Sequence, residues 1–184
     1  MNHSRQSLIF AHRGANREAA ENTRSAFDRA LEYAIDGIET DIQLSRDEVA
    51  VLWHGWFLNK VGLLGRHIDD FDYAELRAMN FAAHFSPQAA PEGIMTLKEF
   101  LDTYRKRCRL LIEIKNRAWE HPSRHEIKVR QMLETVGAAQ GDAIMVSSFN
   151  LTSLVYAHQC APQFEASTPG AMEKIRRHGA NYCT

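Results

Sequence analysis

Short apolar runs that stop at polar residues or glycine recur along the chain, and between them apolar positions return at helical spacing. Ser7 to Gly14 (SLIFAHRG) is the first run, a predicted buried strand whose end opens into a loop. Asn22 or Thr23 then caps a helix in which Phe27, Ala30, Leu31, Ala34 and Ile35 share a face, with Gly37 as its stop. Gly37 to Leu44 (GIETDIQL) reads as a second strand. The intervening Ser45 to Glu48 is too short for a parallel crossover to Val49–His54, so this pair is expected to be a hairpin. From Asn59 to Phe85 the pattern weakens to one short helix near Tyr73–Met79, which marks an excursion between core elements at about 56–95.

Beyond it the alternation becomes regular. A capping box at Thr96–Glu99 opens a helix with Leu97, Phe100, Leu101 and Tyr104 as its stripe, and Leu110 to Lys115 follows as a strand. A second box, Ser123–Glu126, starts a helix carrying Ile127, Met132, Leu133 and Val136, and Ala143 to Phe149 is the next strand. Asn150–His158 and Gly170–His178 are expected helices, and Phe164–Ser167 and Asn181–Thr184 short strands. Repeated strand–helix units with near-continuous apolar strands predict an α/β fold, a parallel sheet covered by helices, either closed as a barrel or open and doubly wound. GxGxxG and GxxxxGK[ST] are both absent, which weighs against the nucleotide-binding version.

At 184 residues the chain is expected to be a single domain, 1–184. With 22 Lys+Arg against 23 Asp+Glu there is no whole-domain attraction for nucleic acid or an anionic membrane. Cys108, Cys160 and Cys183 are an odd number without CxxC spacing, which suggests neither a disulfide framework nor a thiolate zinc site and suits a reducing, cytoplasmic setting. No apolar run reaches the roughly 20 residues of a membrane span. Arg105–Lys106–Arg107 reads as a solvated helix end, and Ser147–Ser148 lacks the GxSxG of a nucleophile elbow.

The chemistry concentrates on two predicted strands. Glu39 and Asp41 are two apart and leave one face; Glu113 and Lys115 repeat the arrangement. Carboxylates bordered by Ile38, Ile42, Ile112 and Ile114 are costly unless paired, and one lysine cannot neutralise three. Two solutions fit: a hard divalent ion held by Glu39, Asp41 and Glu113, or a salt-bridge network in which Lys115 and Arg13 do all the balancing. His12 and Arg13 end the first strand and His54 ends the hairpin, so two imidazoles and a forked donor suited to phosphate approach the same carboxylates. Trp53, Trp56 and Phe57 beside His54 suit either a substrate wall or core packing.

His12-Arg13-Gly14, Glu21-Asn22-Thr23, Gly37-Ile38-Glu39-Thr40-Asp41-Ile42-Gln43-Leu44, the hairpin to His54, and Glu113-Ile114-Lys115 together resemble the glycerophosphodiester phosphodiesterase family; Ser148-Phe149 also fits. The resemblance covers about Leu8 to Asn150 well. It implies a TIM-type barrel and hydrolysis of glycerophosphodiesters to an alcohol and glycerol 3-phosphate with one divalent ion, Mg²⁺ or Ca²⁺. It implies Glu39, Asp41 and Glu113 as metal ligands, His12 and His54 as the acid-base pair, Arg13 and Lys115 as phosphate contacts, and Glu21 as an additional site residue. The implied nucleophile is the glycerol 2-hydroxyl, which forms a cyclic phosphate that water opens.

Two departures stand out: Gly55 follows His54 where the family usually has Asp, and Ala20 precedes Glu21 where it usually has Pro. A TIM barrel typically takes about 250 residues, so a barrel lacking its last one or two βα units is expected here, with self-association through the incomplete edge. Two alternatives to the phosphodiesterase stand beside it. One is a weakly active or inactive barrel that binds metal or a phosphorylated ligand; the other is a phosphodiesterase of phospholipid or sphingolipid headgroups.

Overall fold

The computed structural model describes residues 8–86, 88–137 and 144–161, with the backbone of 165–167. They contain one sheet of β1 (Phe10–His12), β2 (Gly37–Leu44), β3 (Ala50–Leu52), β4 (Arg109–Ile114), β5 (Ile144–Ser147) and β6 (Glu165–Ser167). The spatial order is β1-β2-β4-β5-β6, with β3 antiparallel on β2 as the predicted hairpin. Every pairing along that path is parallel, and neighbours follow chain order without reversal. A doubly wound sheet reverses at a switch point; winding in one direction is that of a (β/α) barrel wall. The helix and strand expected over Gly170–His178 and Asn181–Thr184, like Cys183, lie outside the described residues.

Five helices accompany the described strands: α1 (Arg24–Ala30), α2 (Tyr73–Arg77), α3 (Leu97–Tyr104), α4 (Pro122–Val136) and α5 (Leu151–Cys160). Thr23 caps α1 and the Thr96–Glu99 box caps α3, both as expected. Two starts and stops differ. Gly37 does not end a helix; α1 stops at Ala30, because Asp36 is already tied to Ile9 at the foot of β1, and Gly37 is the first residue of β2. A Cβ there would lie 2.5 Å from the Arg109 main-chain oxygen, so glycine allows the strands their close approach. Likewise α4 begins before the Ser123–Glu126 box: His121 accepts from the Ser123 N–H, and Pro122, with its preset φ, takes the first helical position.

Period-two alternation sorts β2 into two faces. Ile38, Ile42 and Leu44 join Leu110, Ile112, Ile114, Ile144 and Val146 in the main core under α3 and α4, leaving Glu39, Asp41 and Gln43 on the opposite, inner face. The excursion after β3 has its own cluster of Val51, Trp53, Leu58, Ile68, Leu76, Phe81 and Ile94. Trp53 is therefore a core residue, whereas Trp56 and Phe57 are exposed.

Candidate active site

Strand register assembles the candidate residues. His12 of β1 is level with Glu39 of β2, and two residues further on Asp41 is level with Glu113 of β4. All four are on the inner face, His12 and Glu113 at or next to the C-terminal ends of their strands, where barrels place their chemistry, and Glu39 and Asp41 further back along β2. One oxygen from each of Glu39, Asp41 and Glu113 can be chosen so that all three lie within 4.8 Å of one another. These residues are only 4, 0 and 8 % exposed.

The turn after β1 brings in the first cation. Arg13 has a φ of 59°, and its N–H donates to the Glu39 main-chain oxygen at 2.9 Å and to Oε2 of Glu39 at 3.1 Å. A left-handed non-glycine backbone costs about 1–3 kcal/mol, the kind of strain that collects at functional sites. It aims the guanidinium so that Nε lies 3.0 Å from Asp41 Oδ2 and Nη1 donates to Glu21 Oε2 at 3.0 Å. Gly14 continues the turn at φ 79°, and a Cβ there would lie 2.6 Å from the Ala26 main chain. Asn22, also left-handed, donates to Asp41 Oδ2 at 3.3 Å and accepts from Thr40 Oγ1 at 2.9 Å. The sequence marks it as a helix-cap candidate and as part of the Glu21-Asn22-Thr23 motif, without a role of its own; its buried hydrogen bonds to Asp41 and Thr40 depend on the fold.

Lys115 is the second cation, 3.1 Å from Asp41 Oδ1 and in direct contact with Glu113 Oε1. Burial works against its ammonium, but Asp41 and Glu113 outweigh burial and raise its pKa. Burial, followed by the charges of Asp41 and Glu113, pushes the Glu39 carboxyl well above the usual carboxylate range. Glu113 is raised as well, chiefly by burial and against the pull of Lys115. Glu21 behaves oppositely. Burial would raise it, yet the Lys60 ammonium at 2.6 Å and the Arg13 guanidinium bring it down to about 2.

His12 Nε2 stands 3.8 Å from Glu39 Oε2. His54, half-buried beyond β3, feels Asp41, Arg13, Lys115 and Glu21, and burial lowers its pKa and favours the neutral imidazole. Gly55 is crowded, since a Cβ would come within 2.9 Å of the Phe57 carbonyl oxygen; its own carbonyl accepts from Gln43 Nε2 at 2.8 Å. The structure thus brings together His12, Arg13, Glu21, Glu39, Asp41, His54, Glu113 and Lys115. It gives a role to Asn22, which the sequence shows only within the Glu21-Asn22-Thr23 motif, and adds Lys60, which carries no site signal in the sequence. Ser148 is structural, its hydroxyl donating to the Ile114 carbonyl at 2.9 Å.

The residues fit a hard divalent ion. Arg13 and Lys115 supply two positive charges against three carboxylates, and Glu39 Oε1 is buried without a hydrogen-bond partner. A salt-bridge network alone leaves that oxygen unsatisfied. Oxygens bound to one hard cation at about 2.4 Å lie no more than about 4.8 Å apart, in keeping with the observed cluster.

Residues 12–180 match the model of the glycerophosphoryl diester phosphodiesterase family. A glycerophosphodiester phosphodiesterase of Bacillus altitudinis is 34% identical over 159 residues, covering 85% of this chain and 64% of the relative. An uncharacterized protein of Mycoplasma genitalium is 37% identical over 153 residues, 83% of this chain and 62% of its own length. The chain thus spans a little under two thirds of these relatives. Among solved structures, the Agrobacterium tumefaciens glycerophosphodiester phosphodiesterase superposes with a TM-score of 0.73 at 26% identity, covering 88% of this chain and 66% of that one. An Oleispira antarctica phosphodiesterase in complex with the product sn-glycerol-3-phosphate gives 0.77 at 24% identity, covering 92% and 72%. These likenesses establish the TIM-type barrel fold, of which the described sheet is part of the wall.

Proposed function

The chain belongs to the glycerophosphoryl diester phosphodiesterase family, and on that premise we propose that it hydrolyses glycerophosphodiesters to an alcohol and glycerol 3-phosphate. The observation that carries the proposal is the buried triad of Glu39, Asp41 and Glu113 bracketed by Arg13 and Lys115, with His12 and His54 beside it.

Glu39, Asp41 and Glu113 would hold one divalent ion, Mg²⁺ or Ca²⁺. When bound, such an ion polarises a phosphoryl oxygen and stabilises the charge that builds there. Arg13 and Lys115 would grip nonbridging phosphate oxygens, Arg13 as a planar fork and Lys115 as a point charge, and their positions are fixed by carboxylates before substrate arrives. One histidine would take the proton of the attacking hydroxyl and the other would protonate the departing alkoxide. Burial favours neutral His54, which suits it to accept a proton first. Glu21 would orient Arg13.

A coupled assay for glycerol 3-phosphate release, with and without chelator, tests this reading. Turnover of glycerophosphocholine that requires Mg²⁺ or Ca²⁺ is expected. Metal binding without turnover would favour a barrel that only binds metal or a phosphorylated ligand. Among the described residues no helix is long and apolar enough to cross a membrane.

A further inference from the structure

Lys128 on α4 is 1 % exposed, although it lies outside the carboxylate cluster. Its ammonium donates to the main-chain oxygen of Lys115 and to both carboxylate oxygens of Glu120, the latter at 3.1 and 3.0 Å. Glu120, itself buried, also accepts from the Arg117 N–H at 3.3 Å, and side-chain nitrogens of Arg117, Arg124 and His125 stand 3.9, 3.6 and 3.4 Å from it. Arg117 also pairs with Asp69 in the excursion. Arg124 donates to the main-chain oxygens of Leu44 and Ser45, at 3.5 and 3.1 Å, where β2 ends. One buried carboxylate thereby ties together the ends of the two strands that carry Glu39, Asp41 and Glu113.

A buried ammonium is costly unless fully paired, and this one spends a bond on the carbonyl of a residue in the site. We propose that Lys128 is a positioning residue for Lys115. Anchored against Glu120, it fixes where the chain leaves β4, and so where the Lys115 ammonium stands between Asp41 and Glu113. The proposal rests on reading Lys115 as a phosphate contact. Outer-shell partners of this kind typically change activity tenfold to a hundredfold, and a misplacement of about 1 Å is enough to do so.

The test compares the full chain with Lys128→Met, which keeps side-chain length and removes the donors, and with Met132→Ala, which empties a buried apolar position one turn along α4. Three quantities are measured: kcat and KM on glycerophosphocholine with Mg²⁺, the ¹³Cε resonance of Lys115 assigned through Lys115→Arg, and melting temperature. For Lys128→Met, kcat/KM is expected to fall roughly tenfold to a hundredfold, mainly in kcat, with the Lys115 resonance moving toward that of free lysine. Met132→Ala is expected to melt earlier yet keep wild-type kcat/KM below its melting temperature. A wild-type value of either kcat/KM or the Lys115 resonance in Lys128→Met overturns the proposal, as does an equal loss of activity in Met132→Ala. If Lys128→Met fails to fold, Glu120→Gln, which weakens the anchor and keeps its shape, gives the same readings. A wild-type chain without turnover overturns the phosphodiesterase reading instead, and the Lys115 resonance then decides the positioning role by itself.

Discussion

Glu39 stands apart from its neighbours at the site. Arg13 and Lys115 both lean on Asp41, and Lys115 also meets Glu113, whereas Glu39 Oε1 has no hydrogen-bond partner and its carboxyl is pushed up by burial and by two nearby carboxylates. A bound cation would reverse that balance. Calorimetric titration with Mg²⁺ and Ca²⁺ is expected to show one site, weakened at least about tenfold in Glu39→Gln and in Glu113→Gln. Unchanged binding in both variants would put the ion elsewhere. The histidines differ from the carboxylates in being half-buried, so their removal should leave folding almost intact. His12→Ala and His54→Ala are each expected to lower turnover roughly 10²–10⁴-fold. Full turnover in a folded His54→Ala chain would remove that residue from the mechanism.

Among the elements, β2 does the most to shape the site. Its eight residues are all buried, the odd positions Glu39, Asp41 and Gln43 facing inward and the apolar even positions packing under the helices. Its parallel neighbours set which side chains meet: β1 brings His12 level with Glu39, and β4 brings Glu113 level with Asp41. That register depends on the backbone contact at Gly37, where a Cβ would meet the Arg109 carbonyl. Gly37→Ala is therefore expected to cost about 1–3 kcal/mol, as overpacking typically does. Thermal denaturation should show a fall of several degrees for a domain of this size. A melting temperature equal to that of the unmodified chain would mean that β2 and β4 can part at that point without consequence.

At the scale of the whole molecule, ion pairs fasten the excursion to the barrel wall. Lys60 reaches Glu21 in the loop after β1, and Asp69 reaches Arg117 in the loop after β4. The Glu21 pair gives stability a definite pH dependence. Burial raises its carboxyl, but Lys60 and Arg13 bring it down from 4.5 to about 2. A carboxyl depressed on folding stabilises the folded state above its unfolded pKa, and that contribution is lost as pH falls through the folded value. Urea unfolding midpoints are accordingly expected to decline between pH about 4.5 and about 2, and to decline less steeply in Glu21→Gln. Equal slopes for the two chains would show that Glu21 contributes nothing to acid sensitivity.

Much of this could be read from local pattern alone. Period-two spacing puts Glu39 with Asp41 on one face of one strand and Glu113 with Lys115 on one face of another, and the short link to Val49 requires a hairpin. Capping chemistry at Thr23 and Thr96 places two helix starts correctly, because a cap is satisfied within its own turn. Gly37 has the local pattern of a helix stop yet opens β2, since the neighbours that require a glycine there, Phe10 and the Arg109 carbonyl, are distant in sequence. The same reason hides Lys60, Asp69, Glu120 and Lys128, and the bond from Asn22 to Asp41, since the partners come from other loops and strands. Lys128 did leave a trace, at four- and eight-residue spacing from Met132 and Val136 on the buried face of α4. Which residues carry charge on a common face is a property of the chain's local geometry; which of those charges neutralise one another was decided only by parallel register and burial, because Coulombic pairing depends on distances that sequence separation does not determine.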